Sequence, residues 1–332
     1  KVLWIIFDEF DNNFAFNKSI LNNFENFKDN SVYAPMAYSP GSGTTVTMPS
    51  TLMNTRPFGF GKNGQVYDVL DEDNKLIPFI FENTIFNEIN KRKLNYEIFS
   101  SVLRYCSILN IKNNCTENWQ QWHRGIFFQY SIVNKIITFY YLTKSNFTNL
   151  NYNFDQIINT KLINKIKKSE SIDGYNNFDY TDFEKSLKNN TNFIFMHLYM
   201  PHMPAKYSMK KFNLPISKNT HLDRYYLNLK MSDEILKKIL KIIDINHNKD
   251  QDLLLVFSSD HWYRKGRDKV PYPTLFISKI LGDNNNQIIN QKINLIFIYD
   301  LILDHFDGKI SSNKDISEFF EKKPFYNTFN NK

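Results

Sequence analysis

Four places in this 332-residue chain put chemically capable side chains directly after an apolar or glycine-bearing run. Asp8 and Glu9 follow the run 2–7. His197 begins a segment that reaches His202, and Asp260 and His261 follow the run 253–257 by way of Ser258 and Ser259. Carboxylates and imidazoles together form a ligand set for Zn²⁺ or Mn²⁺, and carboxylate-rich sites also take Mg²⁺ or Ca²⁺. Taken singly, an Asp after a strand is ordinarily a turn residue or cap, and a lone His a satisfied polar side chain. Their joint occurrence at successive strand ends is what reads as a metal site. The fourth place is Gly41-Ser42-Gly43-Thr44-Thr45-Val46-Thr47-Met48-Pro49, where hydroxyls open a helix-forming run. A hydroxyl there faces free N–H groups and the positive end of the helix dipole, which favour a phosphate or sulfate. A divalent metal beside it makes it a nucleophile. On composition alone, the reading of Thr44 as a helix cap stands ahead of the nucleophile.

The elements that must position these groups follow an α/β pattern. Residues 2–7 form a continuous β-branched and aromatic run, as expected of a strand buried on both faces of a parallel sheet. Ile85, Phe86 and Ile89 mark one face of a helix over 84–93, and 96–100 returns as a strand. Residues 192–199 and 253–257 give two further central strands, with 274–278 a short one. Leu229, Ile235, Leu236, Ile239, Leu240 and Ile243 predict a long amphipathic helix over 225–243, and 294–306 predicts another. In such open sheets the ligand site lies beyond the carboxyl ends of the strands. The expected architecture is a mostly parallel central sheet flanked by helices on both faces, in a single catalytic domain over 1–332. Residues 105–188 read as a helical insertion, with an aromatic run over 126–142.

Composition bounds the function classes. The hydrophobic share of 42% fits a globular core. The net charge of +7 is dispersed among acidic residues and Asn rather than clustered, so no nucleic-acid footprint is expected. No stretch approaches the ~18 uninterrupted apolar residues of a membrane helix. The sequence opens directly on its first strand, which leaves room for an upstream membrane anchor. Cys106 and Cys115, the two cysteines, bracket a short polar segment. They read either as a loop-stapling disulfide of an oxidising compartment or as two unrelated thiols.

The order of these motifs resembles the sulfatase-like branch of the alkaline phosphatase superfamily, on its phosphoethanolamine-transferase side. Ile5-Ile6-Phe7-Asp8-Glu9 matches its first strand with acidic metal ligands. Thr44-Thr45-Val46-Thr47-Met48-Pro49 matches Thr-x-x-Ser-x-Pro with Thr in place of Ser, and Leu52-Met53-Asn54-Thr55-Arg56-Pro57 is similar to the end of the sulfatase signature. His197-Leu198-Tyr199-Met200-Pro201-His202-Met203-Pro204 resembles His-x-x-x-x-His-x-Pro, Asp233 sits mid-helix as in the family, and Ser259-Asp260-His261 resembles its Ser-Asp-His metal motif.

The resemblance implies a divalent metal, Zn²⁺ first and Mn²⁺, Ca²⁺ or Mg²⁺ as alternatives, held by Asp8, Glu9, Thr44, Asp260 and His261. It implies Thr44 as nucleophile through a covalent phospho-threonine, with His202, Arg56 and Arg264 acting on the departing or equatorial oxygens. His197, His202 and Trp262 would bind a phosphate-ester lipid or glycan, at the periplasmic or extracellular face of a membrane. Three departures limit the transfer. The formylglycine-forming Cys is absent, so ordinary sulfatase activity is not expected, and the sulfatase register would make Thr47 the nucleophile instead. Trp262 replaces the Gly that commonly follows Asp-His, which with Tyr263 and Arg264 suggests an aromatic and cationic wall. No later His completes a second metal position. The rival readings are a catalytically silent binding module and a phosphomutase.

Overall fold

The computed structural model describes residues 1–17, 19–57, 59–60, 67–71, 73, 75–117, 180–189, 191–202, 221–247, 252–264 and 270–326. The chain divides into two compact units, one formed by Lys1–Glu117 with Thr181–Lys332, the other by Asn118–Tyr180. All but the last residue of the second unit, including the aromatic run 126–142 and most of the expected insertion, lie outside the described residues.

The first unit is built on an eight-stranded sheet. Its strands in chain order are β1 (Val2–Asp8), β2 (Val32–Tyr33), β7 (Tyr96–Ser100), β8 (Cys115–Glu117), β9 (Phe193–Pro201), β10 (Leu254–Ser259), β11 (Phe276–Ile280) and β12 (Gln287–Ile288). The spatial order is β12-β2-β11-β10-β1-β9-β7-β8. Small sheets join β3 (Ala37–Tyr38) to β13 (Ile293–Asn294), and β4 (Gly59–Phe60), β5 (Val69–Leu70) and β6 (Leu76–Ile77) to one another. The run from β10 to β8 is parallel throughout, and the run predicted over 274–278 enters as β11, antiparallel to β10. Helices α1 (Asn12–Phe16), α2 (Asn22–Lys28), α3 (Thr44–Leu52), α4 (Ile85–Lys91), α5 (Tyr105–Ile108), α6 (Thr181–Lys188), α7 (His221–Asn246), α8 (Ile298–Phe306) and α9 (Asn313–Glu321) complete the unit.

β1 sits near the centre of the sheet and buries every residue, as its unbroken apolar pattern requires. Each large side chain so buried stabilises the fold by roughly 1.5–3 kcal/mol. Trp4 also satisfies its indole N–H, which donates to Ser258 Oγ at 2.9 Å. What this centre supplies to function is register. β1 and β10 run parallel with Phe7 opposite Ser259, so the next residues on each strand, Asp8 and Asp260, emerge side by side at the carboxyl edge. Neighbouring strands lie about 4.8 Å apart, so two carboxylates are forced together there. On the other flank β9 carries His197 opposite Ile6.

The long helix α7 extends beyond its expected limits at both ends and packs against β9 and α2. Its Asp233, fully buried, accepts hydrogen bonds from the backbone N–H groups of Asn23 and Phe24 at 2.9 and 3.0 Å. It thereby caps α2, which has no side-chain cap of its own. The expected helix over 294–306 is a 3₁₀ turn at Leu295–Phe297 followed by α8. Among the described residues, no helix is long and apolar enough to cross a membrane.

Candidate active site

Asp8, Asp260 and His261 form a fully buried group at the carboxyl edge, with one ligand atom from each within 4.8 Å of the others. His261 Nε2 stands 3.4 Å from Asp8 Oδ1 and 3.6 Å from Asp260 Oδ2. The opposite ring nitrogen, Nδ1, lies 2.9 Å from the Trp262 carbonyl, a contact that only a protonated Nδ1 can make. In the neutral ring this leaves the Nε2 lone pair facing the two carboxylates. That nitrogen is buried and has no hydrogen-bond partner. An orphaned imidazole nitrogen opposite two carboxylates, with its tautomer fixed from behind by a carbonyl, is a donor set that could hold a divalent cation.

The electrostatics agree. Burial first, and then the neighbouring Asp260 charge, push the Asp8 carboxyl up to about 7. Burial works against Asp260 as well, but His261, His197 and hydrogen bonds from Thr44 and Glu9 hold it below the usual carboxylate range. Burial also opposes a charge on His261, yet Asp260 foremost, together with Asp8, holds it up to about 9. Two adjacent buried carboxylates do not both stay ionised without a positive group between them. In the metal-free protein His261 is that group, and a cation would replace its proton.

Asp260 is fixed independently of any ligand. Its Oδ1 accepts from Glu9 N at 2.9 Å and from His261 N at 2.8 Å. Ser259 Oγ accepts from Phe10 N at 2.8 Å, and the Tyr225 hydroxyl donates to Glu9 O at 2.7 Å while accepting from Asp11 N at 2.9 Å. These bonds hold the turn after β1, where Glu9 takes a positive φ of 66°. A left-handed non-glycine residue costs about 1 kcal/mol, the kind of strain that clusters at functional sites.

Thr44 completes the cluster. It is the first residue of α3, with Gly43 as the extended N-cap residue. The first intrahelical bonds are those of Val46 N and Thr47 N to Gly43 O, so the Thr44 and Thr45 amides precede the ladder. The Thr44 hydroxyl donates to Asp260 Oδ2 at 2.6 Å and lies 3.5 Å from Asp8 Oδ1. Thr47, the alternative nucleophile, is buried and its hydroxyl donates to Gly41 O at 3.0 Å, which fixes the loop rather than facing the carboxylates. Gly41 is needed for space, since a Cβ there would lie 2.2 Å from Val46 Cγ1.

The remaining predicted residues divide. Glu9, expected among the metal ligands, is not in the Asp8/Asp260/His261 group. Its buried carboxylate is engaged beside the group instead, where Oε1 accepts from Arg264 N at 3.3 Å and Oε2 lies 3.9 Å from His202 Nε2. Arg264 is at the mouth, half exposed, with Nη1 3.1 Å from where a Cβ on Gly43 would stand. His202 is held there by Asn228, whose amide donates to its carbonyl at 2.8 Å, and by the Tyr199 hydroxyl 3.2 Å from Nδ1.

Three more of the expected residues stand as follows. Arg56 lies four residues past Leu52, the far end of α3, which is itself about 12 Å of helix from Thr44, and its guanidinium stands 4.7 Å over the Tyr326 ring. Trp262 and Tyr263 are buried, and Tyr263 packs on Tyr225 at 4.3 Å, so only Arg264 of the expected wall reaches solvent. His197 is fully buried beneath the cluster, its Nδ1 2.8 Å from the Tyr105 hydroxyl. Tyr105, Tyr225 and Asn228 were not singled out in the sequence. Their types are common and no spacing marks them. Cys106 and Cys115 are joined by a disulfide, the first of the two readings left open.

No sequence-family profile and no curated protein sequence matches the chain. Solved structures do. The C-terminal periplasmic domain of phosphoethanolamine transferase EptC from Campylobacter jejuni is 13% identical with a TM-score of 0.54, over 92% of this chain and 88% of that one. The lipoteichoic acid synthase LtaP from Listeria monocytogenes is 16% identical with a TM-score of 0.57, over 91% and 71%. An alkaline phosphatase superfamily protein from Vibrio parahaemolyticus is 13% identical with a TM-score of 0.57, over 98% and 70%. At these identities the likeness is one of fold. The shared fold is the α/β one, a mostly parallel central sheet flanked by helices, that these proteins have.

Proposed function

We propose that this chain is a metal-dependent phosphoryl-type transferase or hydrolase acting on a phosphate ester or phosphodiester of a lipid or glycan, with Thr44 as nucleophile. The observation that carries the reading is the Thr44 hydroxyl, at the first turn of a helix, bonded at 2.6 Å to a carboxylate of the buried Asp8/Asp260/His261 group. The structural neighbours, among them a phosphoethanolamine transferase and a lipoteichoic acid synthase, support the same general chemistry.

Asp8, Asp260, His261 and Thr44 would hold the cation, Zn²⁺ first, which when bound supplies Lewis-acid polarisation and a lowered hydroxyl pKa. Thr44 Oγ1 forms the new O–P bond as its proton leaves along the hydrogen bond to Asp260. The ester P–O bond breaks, and the leaving oxygen takes a proton at the mouth, where His202 stands beside Glu9. The amides of Thr44 and Thr45 and the Arg264 guanidinium face the phosphoryl oxygens, where donors are worth most as charge develops. Water or an acceptor hydroxyl then attacks the phospho-threonine, giving its proton to His202 and returning Thr44. The periplasm or cell exterior fits the disulfide and the periplasmic EptC domain. A membrane substrate or anchor fits the same reading.

The test is a substrate panel on zinc- and manganese-loaded protein: a glycerophospholipid phosphodiester, a phosphate monoester, a phosphonate monoester and a sulfate ester. Turnover of the phosphodiester with loss in Thr44→Ala is expected. Turnover of the sulfate ester alone, or of no phosphorus ester, overturns the proposal.

A further inference from the structure

His197 takes no part in that scheme, yet it is fully buried beside Asp260. A buried imidazole costs free energy unless its nitrogens are used. Nδ1 meets the Tyr105 hydroxyl at 2.8 Å. Nε2 has no hydrogen-bond partner and stands 4.0 Å from Asp260 Oδ2, the oxygen that receives the Thr44 hydroxyl. Tyr105 is itself fully buried, its ring edge-on to Phe195 at 5.3 Å, and it opens α5. The next residue, Cys106, is bonded to Cys115 at the start of β8. β8 pairs with β7, Ile98 opposite Cys115, and β7 pairs with β9, Ser100 opposite His197. The contacts therefore close a ring: from Cys115 across β7 to His197, through the Tyr105 hydroxyl to α5, and back through the disulfide.

We propose that Tyr105 and His197 are positioning residues for Asp260, and that the Cys106–Cys115 disulfide holds Tyr105 in reach of His197, coupling thiol oxidation to the order of the metal site. This rests on the reading of Asp260 as a metal ligand. With the phenol as the donor to Nδ1, the arrangement that also turns an N–H rather than a lone pair toward the Asp260 carboxylate, the ring proton of neutral His197 sits on Nε2 and faces Asp260 Oδ2. At 4.0 Å this N–H does not hydrogen-bond the oxygen and biases the carboxylate rotamer through its partial charge, a longer-range form of the part outer partners play at metal centres. A four-residue helix has little stability alone. The covalent tie at its second residue keeps the tyrosine in place.

The experiment combines long-range ¹H–¹⁵N spectra of the imidazole rings, on metal-free protein with and without reductant, with chelator-competed Zn²⁺ titrations. The titrations use wild type, Tyr105→Phe, His197→Gln, the Cys106→Ser/Cys115→Ser protein and that protein with Tyr105→Phe added. The expected spectrum shows His197 protonated on Nε2 in the oxidised protein and losing that single tautomer on reduction. Zinc affinity is expected to fall about tenfold in each variant. Tyr105→Phe should add little once the disulfide is gone, because the two act through one contact. A purely structural role would lower the thermal midpoint and leave both the tautomer and the zinc affinity of the folded protein unchanged, and that result overturns the proposal. Wild type that binds no zinc removes the metal reading and this proposal with it. Wild type that binds while the variants match it within twofold removes this proposal alone.

Discussion

Asp260 does two jobs through its two oxygens, and a pair of substitutions separates them. Oδ1 accepts from the buried amides of Glu9 and His261, and Oδ2 accepts the Thr44 hydroxyl and faces His261 Nε2. Asp260→Ala strands both amides. Each unsatisfied buried donor costs about 1–3 kcal/mol, so the sum is about 2–6 kcal/mol, against the ~5–15 kcal/mol that holds a domain together. Asp260→Asn keeps Oδ1 as an acceptor and removes the charge that helps push Asp8 up. The metal-free Asn variant should therefore unfold in urea within about 1 kcal/mol of wild type. It nevertheless loses one of the anionic ligands, and zinc affinity should fall by more than the ~10–100-fold seen for outer-shell partners. Urea melts of metal-free protein and zinc titrations of the same samples give both numbers. An Asn variant as unstable as the Ala variant, or one that binds zinc like wild type, refutes the division of labour.

Thr44→Ala should abolish turnover with a small change in stability, whereas Thr47→Ala should cost about 1 kcal/mol through the lost bond to Gly41 and keep turnover; steady-state rates and urea melts distinguish them. Gly41→Ala should destabilise by about 1–3 kcal/mol, since its Cβ would collide with Val46; a melt within 0.5 kcal/mol of wild type would speak against that packing, on the order of a neutral surface change. Zinc affinity should rise with pH. With Asp8 raised to about 7 and His261 to about 9, binding displaces both protons below pH 7, one between 7 and 9, and neither above. Titrations across pH 6–10 should show the slope falling from about two to one to zero.

The central strands were legible because an unbroken apolar run such as 2–7 has one stable home, a sheet position covered on both faces. Knowing that β1 and β10 are parallel neighbours in register then puts Asp8 beside Asp260, so the paired carboxylates of the candidate site could be read from strand ends. Glu9 could not be assigned from its place next to Asp8. Its placement depends on a positive-φ turn held by Asp260, Ser259 and Tyr225, all distant in sequence. Trp262 looked available because it follows Asp260-His261, but burial depends on how the segment folds back over Tyr225. Tyr105 carries no sequence signal at all. Only the pairing of β7 with β9 brings its helix over His197.

The most direct test of the account is peptide mass spectrometry of acid-quenched, metal-loaded protein during turnover of a glycerophospholipid phosphodiester. A phosphorus-bearing adduct on Thr44, absent in Thr44→Ala and retained in Thr47→Ala, is the predicted result. An adduct on Thr47, or unimpaired turnover by Thr44→Ala, would contradict it.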